Sequence, residues 1–209
     1  MGDGIKFNID EIAEDGEPIA PEKNARKFIN QCRVIVRDNI PITIQEWNKP
    51  KVDQGVSYVD ERSKNLLWDT LMSHFNLPKG LTDGKRLKVK QFALKKMATQ
   101  FQTWKKRLYS DYLKAERKTP EFTGALEKIK DHWDAFVKYK ESDEVLERLR
   151  KNKINAAKKE YHHVLGTGGY KRAVPKWEAA EAKMLAEGVI PATADWPERS
   201  KNWFYVHGG

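Results

Sequence analysis

The chain has 209 residues, enough for one large or two small domains with a real core, and its 39% hydrophobic and 11% aromatic content excludes a fully disordered chain. With 33% charged residues and a mean hydropathy of -0.77 it reads as a helical protein with a wide solvated surface. A net charge of +9 and a pI near 9.4 direct it toward polyanions, whether phosphate backbones or acidic protein surfaces. The single Cys32 excludes an internal disulfide, and no apolar run approaches the ~20 residues of a membrane span.

Residues 1–22 carry seven carboxylates against Lys6 alone, and such a segment is expected to have no packed structure of its own. It is acidic where a signal peptide would be basic, which predicts a soluble, intracellular protein. Pro21 suits the first position of a helix over about 22–38, carrying Ala25, Phe28, Ile29, Cys32, Ile35 and Val36 at helical spacing. Cys32 sits among apolar residues and is expected to be a buried thiol. "NIPITIQEW" alternates Ile40, Ile42 and Ile44 around Pro41 and predicts an extended connector laid along the core.

Asp60 is placed to cap a second helix bearing Leu67, Trp68, Leu71 and Phe75, which "NLPKG" ends. Beyond a cap at Thr82 or Asp83, Leu94, Met97, Phe101, Trp104 and Leu108 recur in steps of three and four, with Tyr112 extending the stripe. The rest of that helix is basic. Over residues 85–118, twelve cations face two carboxylates, and Lys95, Lys96, Lys105, Lys106 and Arg107 are assigned to the face opposite the stripe.

Thr119 and Pro120 predict the start of a fourth helix with Leu126, Ile129, Trp133, Phe136 and Val137 on one side. Asp143 and Glu144 predict the first turn of a fifth, running to about 162, where "GTGGY" breaks it. Pro175 is expected to start a sixth, with Trp177, Ala180 and Met184 inward and Gly188 ending it; a short helix from Pro197 follows. The expected fold is all-α: a bundle of about six helices with an extended N-terminal arm. Its segments are an acidic flexible leader over 1–22, a basic helical unit over 23–118 and a C-terminal helical unit over 119–209. Gly208 and Gly209 close no element, as expected either of part of a longer protein or of an artificial boundary.

His162 and His163 point about 100° apart on a helix and have neither a CxxC nor another histidine at ligand spacing, so no metal or other cofactor is expected. "GTGG" lacks the Lys-Ser/Thr of a phosphate loop and follows no buried strand, which leaves a structural turn or a turn that touches phosphate. No strand-rich frame exists to aim carboxylates at two metal ions, and no nucleophile elbow is present, so the chain is not expected to be an enzyme.

A second basic cluster, Arg148, Arg150, Lys151, Lys153, Lys158, Lys159, Lys171 and Arg172, faces only Glu160. Two such clusters favour phosphate contacts over merely solvated faces. Asn152 and Asn155 lie in that run, where each either pairs with an adenine edge or is an ordinary polar residue. Trp68, Trp104 and Trp133 fall on apolar faces, as core residues do.

The stretch "KNKINAAKKEYHHVLGTGGYKRAVPKWEAAEAKMLAEGVIPATADWPERSKNWFYVHGG", together with "LLWDTLMSHFNLP" and "DHWDAFVKYKESDE", resembles blocks of the plant CACTA (Ptta/En/Spm-type) transposon-encoded proteins, over about residues 24–209. The resemblance implies a nuclear, transposon-derived protein that binds DNA, while the strand-cutting enzyme of such elements is generally a separate, larger protein. Asn152, Asn155, His163, Gly166, Gly168, Gly169, Tyr170, Pro175, Lys176 and Trp177 belong to the block, with no chemical role implied. The expected function is therefore non-catalytic DNA binding, with phosphates held by the two basic runs and base contacts from Asn152, Asn155 or His163. The alternative is a protein-interaction or oligomerisation module of a domesticated transposon protein, in which a homo-oligomer or protein partner replaces specific DNA.

Overall fold

A computed structural model of the protein describes residues 6–51, 55–114, 118–158, 165 and 169–207, the side chains of Lys171 and Arg172 excepted. The fold is mostly helical with two minute sheets, and it divides into compact units over residues 1–147 and 148–209.

Three helices organise the first unit: α1 (Glu22–Asn39), α2 (Glu61–Met72) and α3 (Asp83–Leu108). Asp60 Oδ1 accepts from the Ser63 amide at 2.7 Å and Thr82 Oγ1 from the Lys85 amide at 3.3 Å, so both predicted caps satisfy amides that the first turn leaves open. α1 buries Phe28, Cys32, Ile35 and Val36, chiefly against the Val89, Ala93, Met97 and Phe101 stripe of α3. Burial pushes the Cys32 thiol up to about 12, so at neutral pH it is a protonated apolar group. Ile40 and Ile42 are buried and Ile44 packs beside them, so residues 40–46 lie along the core as expected, but not as an extended segment: the Ile44 amide donates to the Pro41 carbonyl at 3.1 Å and closes a turn.

The acidic leader differs from expectation. Strand β1 (Phe7–Asn8) runs parallel to β4 (Phe75–Asn76), just past α2, and β2 (Glu11–Ile12) pairs antiparallel with β3 (Pro18–Ala20). Ile9 is 1% exposed and belongs to the core. The Phe7 amide donates to the His74 carbonyl and that of Ile9 to Asn76, both at 2.9 Å. Backbone pairing and one buried isoleucine anchor the segment while Asp10, Glu11, Glu14 and Asp15 stay in water, so net charge does not decide its order. Gly16 adopts φ +88° against the first turns of α3, where a Cβ would overlap the Lys88 carbonyl.

The fourth helix also departs from its predicted start. Residues 118–123 are irregular, Gly124–His132 form a 3₁₀ helix, and α4 (Trp133–Lys140) begins only afterwards. A 3₁₀ turn brings residues three apart into line, so Leu126 and Ile129 both face the core; the change to α geometry then places Trp133 and Phe136 inward. These side chains join the same core as α1–α3, so residues 124–140 belong to the first unit, and the expected division near 118 falls within it.

Helix α5 (Asp143–Ala157) buries Val145 and carries residues 148–157 into the second unit. There, α6 (Gly169–Ala186) and α7 (Glu198–His207) are packed together. α6 starts six residues before its predicted beginning and runs through Pro175. Tyr170 and Trp177, two turns apart, meet edge to face at 6.3 Å, a contact that supports the first turns although Pro175 has no amide to donate. Trp177 is half-buried, but Ala180 and Met184, expected inward, are exposed. Among the described residues no helix is long and apolar enough to cross a membrane.

Candidate nucleic-acid interface

α3 advances ~100° per residue, so Lys88, Lys95 and Lys106 fall on one side, opposite Val89, Ala93, Met97 and Phe101. All three are exposed, and Lys95 and Lys106 have no acidic partner among the described residues. Arg107 is exposed as well, whereas Lys96 is half-buried with Nζ 5.1 Å from the Phe92 ring centre. Lys105 does not belong to this surface. Four residues after Phe101 and one after Trp104, it turns inward and is 3% exposed. Its Nζ donates to the carbonyls of Ile44 at 2.7 Å and Gln45 at 3.2 Å and lies 4.6 Å from the Phe101 ring centre. A buried ammonium needs such acceptors, and it is thereby removed from the predicted phosphate contacts.

The leader touches the same helix. Glu14 lies 3.9 Å from Lys85 Nζ and 3.7 Å from Lys88 Nζ, and all three side chains are at least half exposed, so the attraction is weak and screened by salt. The N-terminal end of the basic face thus has a carboxylate of the same chain beside it.

The second cluster sits on α5. Every residue from Lys151 to Lys158 is exposed, a helix segment that is wet all round. Lys151, Asn155 and Lys158 recur at four and three residues and share a side; Lys153 points roughly the opposite way and Asn152 between. Among the described residues no carboxylate pairs with Lys151, Lys153 or Lys158. One phosphate row can therefore meet Lys151 and Lys158 with Asn155 between them, but not all the lysines at once. Lys159 and His163, with His162, Gly166 and Gly168, lie outside the described residues. Lys171 and Arg172 are in the first turn of α6, with Gly169 at its start in a φ +50° conformation.

A polar cluster that the sequence did not announce lies in the second unit. The Glu181 carboxylate accepts from Lys201 Nζ at 2.7 Å, Thr193 Oγ1 at 2.7 Å and the Tyr205 hydroxyl at 2.8 Å. The Lys201 hydrogen bond first, then those of Thr193 and Tyr205, hold its pKa down at about 2. Its four members come from α6, the following loop and α7, and Glu181 lies 12 to 24 residues from the other three, so no local motif marks them. Among the described residues no three His, Cys, Asp or Glu side chains gather as a metal site.

Each unit thus carries one cationic helix face, and that of the first unit is flanked by a carboxylate of the leader. Comparison of the chain with protein-family models, with curated proteins and with solved structures gave no match.

Proposed function

We propose that this protein is a non-catalytic DNA-binding protein of the plant CACTA-transposon type, acting in the nucleus. The observation that carries the reading is the all-round exposure of residues 151–158, with Lys151, Lys153 and Lys158 free of carboxylate partners among the described residues. Cations already paired within a protein release few counterions on meeting phosphate, and unpaired ones release most. Lys95, Lys106 and Arg107 on α3 supply a second set, and Asn155, flanked by Lys151 and Lys158, is the residue placed to read a base edge.

Replacing Lys151, Lys153 and Lys158 together by Ala weakens binding to all DNA sequences and lowers the salt slope by ~2 units, since Lys151 and Lys158 meet one phosphate row and each phosphate contact contributes ~0.9. Asn155→Ala leaves that slope in place and relaxes preference at one base pair by ~1–3 kcal/mol. Selection from a random DNA pool, followed by titration at several salt concentrations, measures both. Unchanged affinity and slope in the lysine variant would overturn the reading.

A second reading, a protein-interaction or oligomerisation module, is favoured by a different observation. Met184, Leu185, Val189 and Ile190 at the end of α6 are all exposed, Ile190 to 78%, an apolar run unusual at a free surface. Sedimentation across a concentration series distinguishes a self-associating chain from a monomer that binds DNA alone.

A further inference from the structure

Between α6 and α7 lies a cleft of about 330 Å³ whose chemistry is unlike that of the basic faces. Trp177 stacks on Tyr205 with ring centres 5.4 Å apart at 23°, forming an aromatic floor. Trp196 also lines the cleft; it is 44% exposed and braced edge to face by Phe204 at 5.3 Å. Val174 and Asn202 complete the neutral lining, and the charged lining is mainly acidic. Glu178 and Glu198 are exposed and have no cationic partner among the described residues, and Glu181 is neutralised by Lys201. Three carboxylates against one ammonium leave the cleft with two negative charges inside a chain of net charge +9.

Aromatic faces carry negative charge over the ring and attract cations, most strongly those that shed water easily. A hard divalent ion needs six or more oxygen ligands, which a cleft walled by indoles does not offer; an anion would face two uncompensated carboxylates, because Lys201 is already paired with Glu181. The Tyr205 hydroxyl is committed to Glu181 and Thr193, so the ring is what Tyr205 offers a ligand. The volume, at the low end for ligand sites, suits one side chain better than a whole cofactor.

We propose that this cleft binds an alkylammonium group, the methylated lysine of a partner peptide, between the Trp177–Tyr205 pair and Trp196, with Glu178 and Glu198 supplying the counter-charge. The site is remote in chemistry from phosphate binding and stands whether or not the basic helices bind DNA. Its experiment therefore contains no nucleic acid.

Isothermal titration of the full chain compares choline with 3,3-dimethylbutan-1-ol, its neutral isostere. Saturable choline binding is expected, tighter than the isostere by about tenfold, the span of a desolvated cation–π contact. A trimethyl-lysine peptide should bind several-fold tighter than the same peptide unmodified. Trp196→Ala should abolish this binding. The double change Glu178→Gln and Glu198→Gln, at exposed positions that no described contact uses, should weaken it at least fivefold with unchanged helicity. The proposal is overturned by equal affinity for choline and its isostere, by equal affinity for the two peptides, by absence of saturable choline binding, or by binding indifferent to the glutamine pair.

Discussion

Lys105 Nζ donates to the Ile44 carbonyl at 2.7 Å across 61 residues of sequence, tying the last turns of α3 to the connector between α1 and α2. A charge in this position works as an internal strut. Lys105→Met keeps the apolar stem and deletes the donor, leaving the carbonyls of Ile44 and Gln45 without it, which costs ~1–3 kcal/mol. Urea denaturation measures the loss. The salt slope of DNA binding should be unchanged, because this ammonium never reaches a phosphate; a reduced slope would return Lys105 to the interface.

Trp133 meets Tyr112 at 5.9 Å, Phe122 at 6.2 Å and Phe136 at 5.7 Å, joining the π-helical turn Tyr109–Lys114 after α3, the irregular segment and α4. Trp133→Ala should cost ~3–5 kcal/mol, and Trp104→Ala a similar amount, as for other large buried aromatics. Thermal or urea unfolding reports it. A loss below ~1 kcal/mol would show that the remaining side chains pack as well without the indole.

Glu14 beside Lys85 and Lys88 places a negative charge where DNA phosphates would approach α3. Glu14→Gln should tighten DNA binding by less than ~3-fold at low ionic strength, and the gain should vanish at high salt, because exposed charges are screened. Binding measured at two salt concentrations tests it; a weakened complex would contradict the arrangement.

Glu181 makes the second unit sensitive to acid. Its folded pKa, about 2, lies below the ordinary 4.5, so its stabilising contribution is complete above that value and is lost as pH falls toward 2. Near-ultraviolet circular dichroism, which reports the Trp177–Tyr205 stack, should change over this window. In Glu181→Gln the window should disappear, the tertiary signal being weakened already at neutral pH. Persistence of the same acid transition in that variant would assign it to another carboxylate.

Much of the helical frame was legible in the sequence because its causes are local. The caps at Asp60 and Thr82 act on amides three residues away, and the Met97, Phe101, Trp104 and Leu108 stripe repeats within a few turns. The exposure of Lys151, Asn152, Lys153, Asn155 and Lys158 follows equally from a run with little apolar content. The burial of Ile40 and Ile42 was legible in their alternation, but the turn from Pro41 to Ile44 was not.

What the sequence by itself determined, then, was the position and apolar side of α1, α2 and α3, since spacing and capping are properties of neighbouring residues, whereas the starts of α4 and α6 and the outward Ala180 and Met184 were not determined by it. Only the tertiary structure decided what the flanks of those helices meet. Lys105 is inside because residues 60 positions away bring carbonyls to it, and the acidic leader is ordered because Asn76 and His74 offer backbone partners to its strand. Glu181 is an anchored carboxylate because α7 returns Lys201 and Tyr205 to it. Each of these depends on hydrogen bonds or ring contacts between segments whose meeting is set by chain topology, and no periodicity or composition within a single segment encodes it.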